Sequence, residues 1–464
     1  MNTSYVPKNS TLPVLDYIPY HWKEIRSKYL LEERDDRSSD GNEDLLSVSQ
    51  YTGVTKKRKQ ISGSNDSRAS SLEGYKQVDQ DNLVINIMLA WNGSLGVSKY
   101  QGIVSPAYGV YKINNVVYPT YLHYLVKSEE YKTLFRMYST GVIDSRLRLY
   151  SDQLFSLRFI VPSYTEQEQI AHYLDYKNHL INKYIRIKKR QIELLKELKQ
   201  VVINDAVTGK IDVRTGKPYP RYKDSGIDWI GMIPEEWEAS RVKYLCNINA
   251  NTLPENTDPE FRFIYHDIGS VGTGELLKQA ECTKFAKSPS RARRVVYTND
   301  VIISTVRTYL KAVYSFENIT EPTVVSTGFA VFTPREMLLP KLLKYCMLGE
   351  SFIQQVVINS VGIGYPAINE SVLERLFLIY PNDVQTQITI GSFLEEKTRG
   401  IDLLHERLSL SIFKLKELQT RLISDVVTGK LDVRDIEIPD YDEEQEEYDE
   451  VVVEDSLEEV GDAD

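Results

Sequence analysis

The stretch EQEQIAHYLDYKNHLINKYIRIKKRQIELLKELKQVVINDAVTGKIDVR, residues 166–214, recurs without a gap at 386–434 as TQITIGSFLEEKTRGIDLLHERLSLSIFKLKELQTRLISDVVTGKLDVR. At this offset of 220 residues, 19 of the 49 positions are identical. Within the first copy, steps of four and three pick out Leu174, Asn178, Ile181, Ile185, Lys188, Ile192, Leu195, Lys199 and Val202. Within the second they pick out Leu394, Thr398, Ile401, His405, Leu408, Ile412, Leu415, Gln419 and Leu422. Six of nine are apolar each time, which is the seam of a coiled coil with a few polar interruptions. Neither copy contains proline, and Gly209 and Gly429 stand where a helix would stop. A helix of about 40 residues is roughly 60 Å long. Alone it would leave its seam in water, so the two seams are expected to pack on each other as an antiparallel pair.

The repeat extends outward. IPYHWKEIRSKYL (18–30) matches IPEEWEASRVKYL (233–245), pairing Pro19 and Trp22 with Pro234 and Trp237. Fainter echoes follow: DNLVIN (81–86) with DVIIST (300–305), and SPAYGVYKI (105–113) with STGFAVFTP (326–334). Each half therefore reads as an opening P-x-x-W motif, a divergent region, a long helix and a VTGK exit. The divergent regions carry short β-branched and aromatic runs broken by Gly, Asn, Pro and Ser, a mixed α+β texture. Residues 55–74 and 208–226 read as polar loop and linker.

The chain has 464 residues and a formal net charge of −10. The charge is unevenly spread, because residues 437–464 hold 15 acidic side chains and no Lys or Arg, leaving the rest at +5. The body is thus mildly basic and the low pI does not exclude a polyanionic partner. Cys246, Cys282 and Cys346 form neither metal spacing nor disulfide framework, and no secretory leader or membrane span is legible. These features point to the cytoplasm.

Together these motifs resemble the specificity subunit of type I restriction-modification enzymes, the HsdS family. They are the P-x-x-W openings, the EQ-x-x-I-A-x-x-L start of the first helix, the repeated D-x-V-T-G-K-[IL]-D-V-R exits and the two-copy layout, over about 13–436. The second helix departs from the pattern, beginning QTQITIGSFL, and the acidic tail lies outside it. The resemblance implies an α+β fold with two α/β target-recognition domains, separated by a long antiparallel two-helix coiled coil in a pseudo-two-fold internal repeat. The expected divisions are an N-terminal extension (1–15), recognition domain 1 (16–160), spacer helix 1 (161–210), a linker (211–226), recognition domain 2 (227–381), spacer helix 2 (382–430) and a disordered acidic tail (431–464).

It also implies a non-catalytic subunit that reads a bipartite, asymmetric site in double-stranded DNA. Its partners would be two adenine-methylating modification subunits and, in the full complex, restriction/translocase subunits; there would be no membrane partner. No cofactor is expected in this chain; S-adenosylmethionine and ATP/Mg belong to the partners. The seam residues Leu174, Ile181, Ile185, Ile192, Leu195, Val202, Leu394, Ile401, Leu408, Ile412, Leu415 and Leu422 would form the spacer and docking element.

Candidate DNA contacts follow from charge and loop position. Lys56, Lys57, Arg58 and Lys59 are four adjacent cations suited to phosphates, with a solvated loop as the competing reading. Arg291, Arg293 and Arg294, with Arg307 and Lys311 nearby, suit guanine or phosphate, against ordinary surface ion pairing. Arg146 and Arg148 lie in GVIDSRLRLY where the second half has GIGYPAINES, placing Tyr365 at the matching turn. Trp91 and Asn92 in AWNGSLG form a reading loop or, for the tryptophan, part of a core. Trp22 and Trp237 are repeated, which suits packing better than base reading.

A catalytic alternative finds no support in the motifs. There is no N/D-P-P-Y/F tetrapeptide and no G-x-x-x-x-G-K-[ST] loop, since DAVTGK lacks the first glycine and the following hydroxyl. Pro439–Asp440 has no lysine downstream. His172 and His179 are seven apart on one helix, better read as surface residues than as a metal pair, and Gly272 and Gly274 read as a turn. No catalytic or metal-ligating residue is assigned. A protein-binding helical scaffold without DNA reading is the alternative of another class.

Overall fold

A computed structural model describes residues 5–50, 52–57, 72–143, 146–362 and 364–441. The two repeated stretches are helices Tyr164–Val207 and Val384–Val427, each of 44 residues. Each has a polar start: the Ser163 hydroxyl accepts from the Glu166 N–H at 3.4 Å. Asp383 accepts from the Thr386 N–H and hydroxyl, both at 2.8 Å, which hold its carboxyl below the usual range. Each ends on a glycine in the left-handed region, Gly209 (φ 69°) and Gly429 (φ 76°).

The chain forms two compact units. One joins the residues up to Lys188 with those from Leu410 onward; the other is Lys189–Ser409. Each unit therefore combines one globular region with half of each long helix. In the first, Gln169 reaches the carbonyls of Val433 (3.0 Å) and Ile436 (2.8 Å), while Asn178 and Asn182 accept from the Gln419 amide at 3.2 and 3.3 Å. The numbers run oppositely, so the helices are antiparallel. In the second, Lys199 pairs with Asp402 at 2.7 Å. The polar seam positions Asn178 and Gln419 thus answer one another, and Lys199 finds a carboxylate on the facing helix, which is how such positions set register.

The twelve apolar seam positions are all buried or half-buried. Leu174 and Leu394 are sealed where the helices meet the globular regions. Ile192, Leu195, Leu408, Ile412 and Leu415, farther along, are half-covered, because two helices alone shield only one side of each other.

The globular regions share one plan. In the first, a sheet runs in the order Leu31–Arg34, Tyr108–Ile113, Leu83–Asn86, Leu95–Val97, with antiparallel neighbours. In the second the order is Cys246–Ile248, Phe329–Pro334, Val301–Ser304, Val313–Ser315. The faint sequence echoes are the central strands of these two sheets. Helices Pro119–Lys127 and Glu129–Tyr138 in one region match Pro340–Leu348 and Glu350–Ile358 in the other. The second region adds a sheet of Glu281–Lys284, Arg262–His266, Thr323–Ser326 and Ala292–Val296, with one parallel pair. Its counterpart in the first is two strand pairs, Leu46–Ser49 with Gly53–Lys56 and Lys76–Val78 with Gly102–Val104, joined by a parallel bridge from Leu45 to Ile103. The expected α+β, two-region architecture on antiparallel helices is what forms.

The opening and exit motifs meet in a way the linear repeat does not state. Trp237 is buried beside Gly209, where an added Cβ would sit 2.4 Å from Pro234; Trp22 is buried beside Gly429, where it would sit 2.4 Å from Pro19. The exit of each helix therefore closes on the P-x-x-W of its own unit. Gly429→Ala meets both a left-handed backbone and a proline ring. It is expected to cost about 2 kcal/mol or more and to lower the melting temperature of the first unit by roughly 4–8 °C in a thermal melt. Gly216→Ala, with a similar φ of 70° but open space around it, separates the steric part from the conformational one.

Defined structure forms within the segments assigned from sequence to extension, linker and tail, and over 431–441 it departs from the expected disorder. Pro7–Asn9 pairs with Tyr17–Pro19, and Tyr222–Asp224 with Met232–Pro234. Residues 431–441 are a strap on the first unit: Val433 is fully buried and Tyr441 stacks near Tyr176 (5.4 Å) and His179 (5.1 Å). His179 is accordingly half-buried rather than on the surface. Polar composition hid these segments because a few apolar side chains anchor each one. Gly272 does sit in a turn, its N–H bonded to the Glu275 carbonyl at 2.9 Å.

One buried group makes the first unit acid-sensitive. His123 is enclosed between Gly53 and Gly96, and its Nδ1 accepts the Val97 N–H at 3.2 Å. Burial, with Lys127 and Lys99 nearby, lowers its pKa to about 3. The unfolded chain takes up this proton near pH 6.5 and the folded one does not, so stability is full above about 6.5 and falls as pH drops towards 3. At pH 4.5 the loss from this group is about 2–3 kcal/mol. Urea titrations at pH 7 and 4.5 are expected to show it, and His123→Gln to flatten it; an equal pH slope in the variant refutes the assignment.

Candidate nucleic-acid interface

In each globular region two loops are tied together by one backbone hydrogen bond at the same place. In the first, the connection between Leu83–Asn86 and Leu95–Val97 carries a single turn, Ala90–Asn92. Its Ile87 carbonyl accepts the Leu149 N–H at 2.9 Å. The partner loop is closed by Thr140 and Arg148, which exchange both backbone hydrogen bonds at 2.9 Å. In the second region the connection between Val301–Ser304 and Val313–Ser315 carries the turn Thr308–Leu310, and the Thr305 carbonyl accepts the Ile368 N–H at 2.9 Å. Here Val361 and Ala367 exchange the closing pair at 2.9 and 3.0 Å. The Thr308 hydroxyl bonds that of Ser360 at 2.8 Å, a second tie between the loops.

Residues that sequence analysis took from separate places are thereby brought together. The loop that carries Trp91 and Asn92 is tied to the one that carries Arg146 and Arg148 in the first region; in the second, the loop of Arg307 and Lys311 is tied to that of Tyr365, and Arg307 and Tyr365 are in contact. Trp91 is half-buried with the Arg136 guanidinium 5.5 Å from its ring. The Asn92 side-chain Oδ1 is used inside the turn, accepting from the Ser94 N–H (3.1 Å) and hydroxyl (2.8 Å). Arg148 donates to the Leu147 carbonyl at 2.7 Å, and Arg146 is exposed. Arg307 lies 4.9 Å over the ring of Tyr365, itself 70 % exposed. Lys311 is ion-paired with Glu350 at 3.0 Å; against the cost of burial, hydrogen bonds from Gln354 and Lys311 keep that carboxyl below its ordinary value.

The other candidates sit on the second strand layer. Lys56 ends strand Gly53–Lys56, paired with Asp44 at 3.0 Å and 5.5 Å from the Tyr100 ring, and Lys57 next to it is exposed. Arg58 and Lys59 lie outside the described residues. Arg293 stacks on Phe285 at 4.7 Å and donates to the Ala292 carbonyl at 2.9 Å. Arg294 is half-buried, 3.9 Å from Glu370. Arg291 is exposed at the strand's start.

Sequence reasoning missed the apolar tips of the paired loops. Val142 and Ile143 are exposed in the first region, as are Tyr309, Leu310 and Val361 in the second. The available signal was an apolar residue beside glycine in a turn, GVI at 141–143 and SVG at 360–362. Among the described residues no group of three or more His, Cys, Asp or Glu is placed to hold a metal ion, and no helix is long and apolar enough to cross a membrane.

No family model and no curated protein matches the chain. Solved structures do. A chain from a structure of the type I R-M system, solved for its complex assembly and conformational transition, aligns with a TM-score of 0.64 at 14 % identity, covering 89 % of this chain and 99 % of that one. The fold is that of this chain from the type I restriction-modification system. The HsdS subunit from Thermoanaerobacter tengcongensis aligns at 15 % identity and a TM-score of 0.48, covering 89 % of this chain and 98 % of that one. The type I S subunit from M. genitalium aligns at 11 % and 0.35, covering 93 % and 100 %. At 14 % identity the likeness to the first of these resides in the path of the backbone.

Proposed function

We propose that this chain is the DNA-specificity subunit of a type I restriction-modification complex. Each globular region reads one half of a bipartite, asymmetric site, and the paired helices set the spacing between the halves. The observation that carries this reading is the same paired-loop device, built at matching places in two regions and tipped with different side chains. Two readers with different tips give different half-sites, and base pairs between them go unread. In this reading the chain is a non-catalytic subunit. Methyl transfer with S-adenosylmethionine, and translocation and cleavage with ATP/Mg, belong to partner subunits in the cytoplasm.

The long helices also carry apolar side chains off the seam. Leu194, Leu198 and Leu404 in the second unit, and Ile187, Phe413 and Leu418 in the first, are 47–65 % exposed. Such side chains suit docking of two modification subunits along the rod. The test is methylome sequencing of a host that expresses the chain with its methyltransferase subunits. The expected result is one asymmetric, two-part adenine-methylated motif that disappears when this chain alone is removed. Methylation that persists unchanged without the chain refutes the reading and favours a protein scaffold.

A further inference from the structure

We propose that Arg307 reads a guanine in the half-site of the second region, and that Tyr365 is its positioning residue. The inference rests on the DNA-reading function proposed above. Four other cations of this region divide plainly. Lys311 is held by Glu350, Arg294 is half-buried near Glu370, and Arg293 lies on Phe285 with a hydrogen bond to a carbonyl. Arg291 is exposed with no ring stacked on it among the described residues. Arg307 is exposed, no carboxylate pairs with it among the described residues, and its guanidinium is stacked on an aromatic ring.

This combination matters physically. A guanidinium with its donors unspent can give two parallel N–H bonds to guanine O6 and N7 in the major groove. A free arginine must first lose its rotamer freedom. Stacking on Tyr365 restricts the plane beforehand while leaving its N–H edge open. The backbone serves the same end. Arg307 (φ 51°, ψ 47°) and Lys311 (φ 52°, ψ 34°) are both left-handed without being glycine, and they flank the turn that pushes Tyr309 and Leu310 outward. Such conformations persist where the surroundings enforce them and cluster at ligand sites. The two ties between the loops, Ile368 to Thr305 and Thr308 to Ser360, do the enforcing and keep Tyr365 under Arg307. The first region has a related pair, Arg136 with Trp91, but there the indole is half-buried. The two readers thus present different edges, as an asymmetric site requires.

The experiment uses the complex of this chain with its methyltransferase subunits and duplexes carrying the motif found in the methylome. Variants are Arg307→Asn, since asparagine tolerates the left-handed backbone, and Arg307→Lys; Tyr365→Ala and Tyr365→Phe test positioning. Wild type is expected to require G·C at one position of one half-site, by roughly 5- to 150-fold over other pairs. Arg307→Asn is expected to abolish that preference while the other half-site is still read, which also reports that the variant is folded. Replacing that guanine with 7-deazaguanine is expected to weaken wild type and leave Arg307→Asn unaffected. Tyr365→Ala should relax the same position partly, with Tyr365→Phe close to wild type. An Arg307→Asn complex that keeps the guanine preference, or that loses affinity evenly at all sequences with a shallower salt dependence, overturns the proposal in favour of no contact or a phosphate contact. A wild-type complex without a two-part motif overturns the functional reading itself.

Discussion

Ending the chain after Lys430 is expected to destabilise the first unit by about 4–6 kcal/mol, a large share of a typical domain's 5–15 kcal/mol, relative to a chain that ends after Tyr441 and keeps residues 431–441. The difference is the strap. Val433 is fully buried in the core that holds Trp22, Val426 and Val427, and a buried valine contributes roughly 1.5–3 kcal/mol. Gln169 loses both strap carbonyls, each such bond being worth about 0.5–1.5 kcal/mol net. Arg434, fixed by Asp432, lies 4.7 Å over Tyr5. Tyr5 in turn donates to the nearly buried Glu166 at 2.7 Å, which also receives the Trp22 indole N–H at 3.0 Å and pairs with His21 at 2.9 Å. Removing the strap uncovers Tyr5 and opens that carboxylate's surroundings to water. Chemical unfolding of the two truncations decides the matter: equal midpoints refute the strap's role.

On the DNA-reading function proposed above, replacing residues 246–376 with the matching part of another chain of this fold is expected to change one half-site completely and leave the other intact. The boundaries follow from packing. Strand Trp237–Arg241 pairs with Phe377–Pro381, and Trp237, Leu378 and Tyr380 share a core with Ile203, Ala206 and Val207 of the first long helix. Cutting inside that pair would break the seat of the region on its helix, whereas cutting just beyond it exchanges the sheet and both loops together. Methylome sequencing reads the outcome. Half-site bases that change on both sides, or on neither, contradict independent reading by the two regions.

The same strand pair shows why some features were legible and others were not. The seam could be read from Leu174 to Val202 because a helix returns to one face every three or four residues, and its polar members, Asn178 and Lys199, are the ones that find partners across it. The sheets were only faintly legible, since short buried strands such as VIIS at 301–304 carry little beyond apolar character. The strap was misread as tail because one valine and a few aromatic contacts hold it against many acidic neighbours. At the interface, arginines stood out by type, but type does not say which are already engaged. Glu350 and Glu370 are distant in sequence from the cations they occupy, and among the candidate arginines of the second region, within the described residues, Arg307 is the exposed one stacked on an exposed ring, that of Tyr365.

By itself, then, the sequence determined the repeat, the two rods with their glycine stops, and the presence of two unlike globular regions, because periodicity and identity are properties of neighbouring residues along a chain. Only the tertiary structure decided that each VTGK exit closes on the P-x-x-W of its own unit, so that the first unit is completed by residues from both ends of the chain. It alone also decided which loops meet. Those facts depend on contacts between residues far apart in number, where burial and steric fit act and local pattern carries no record.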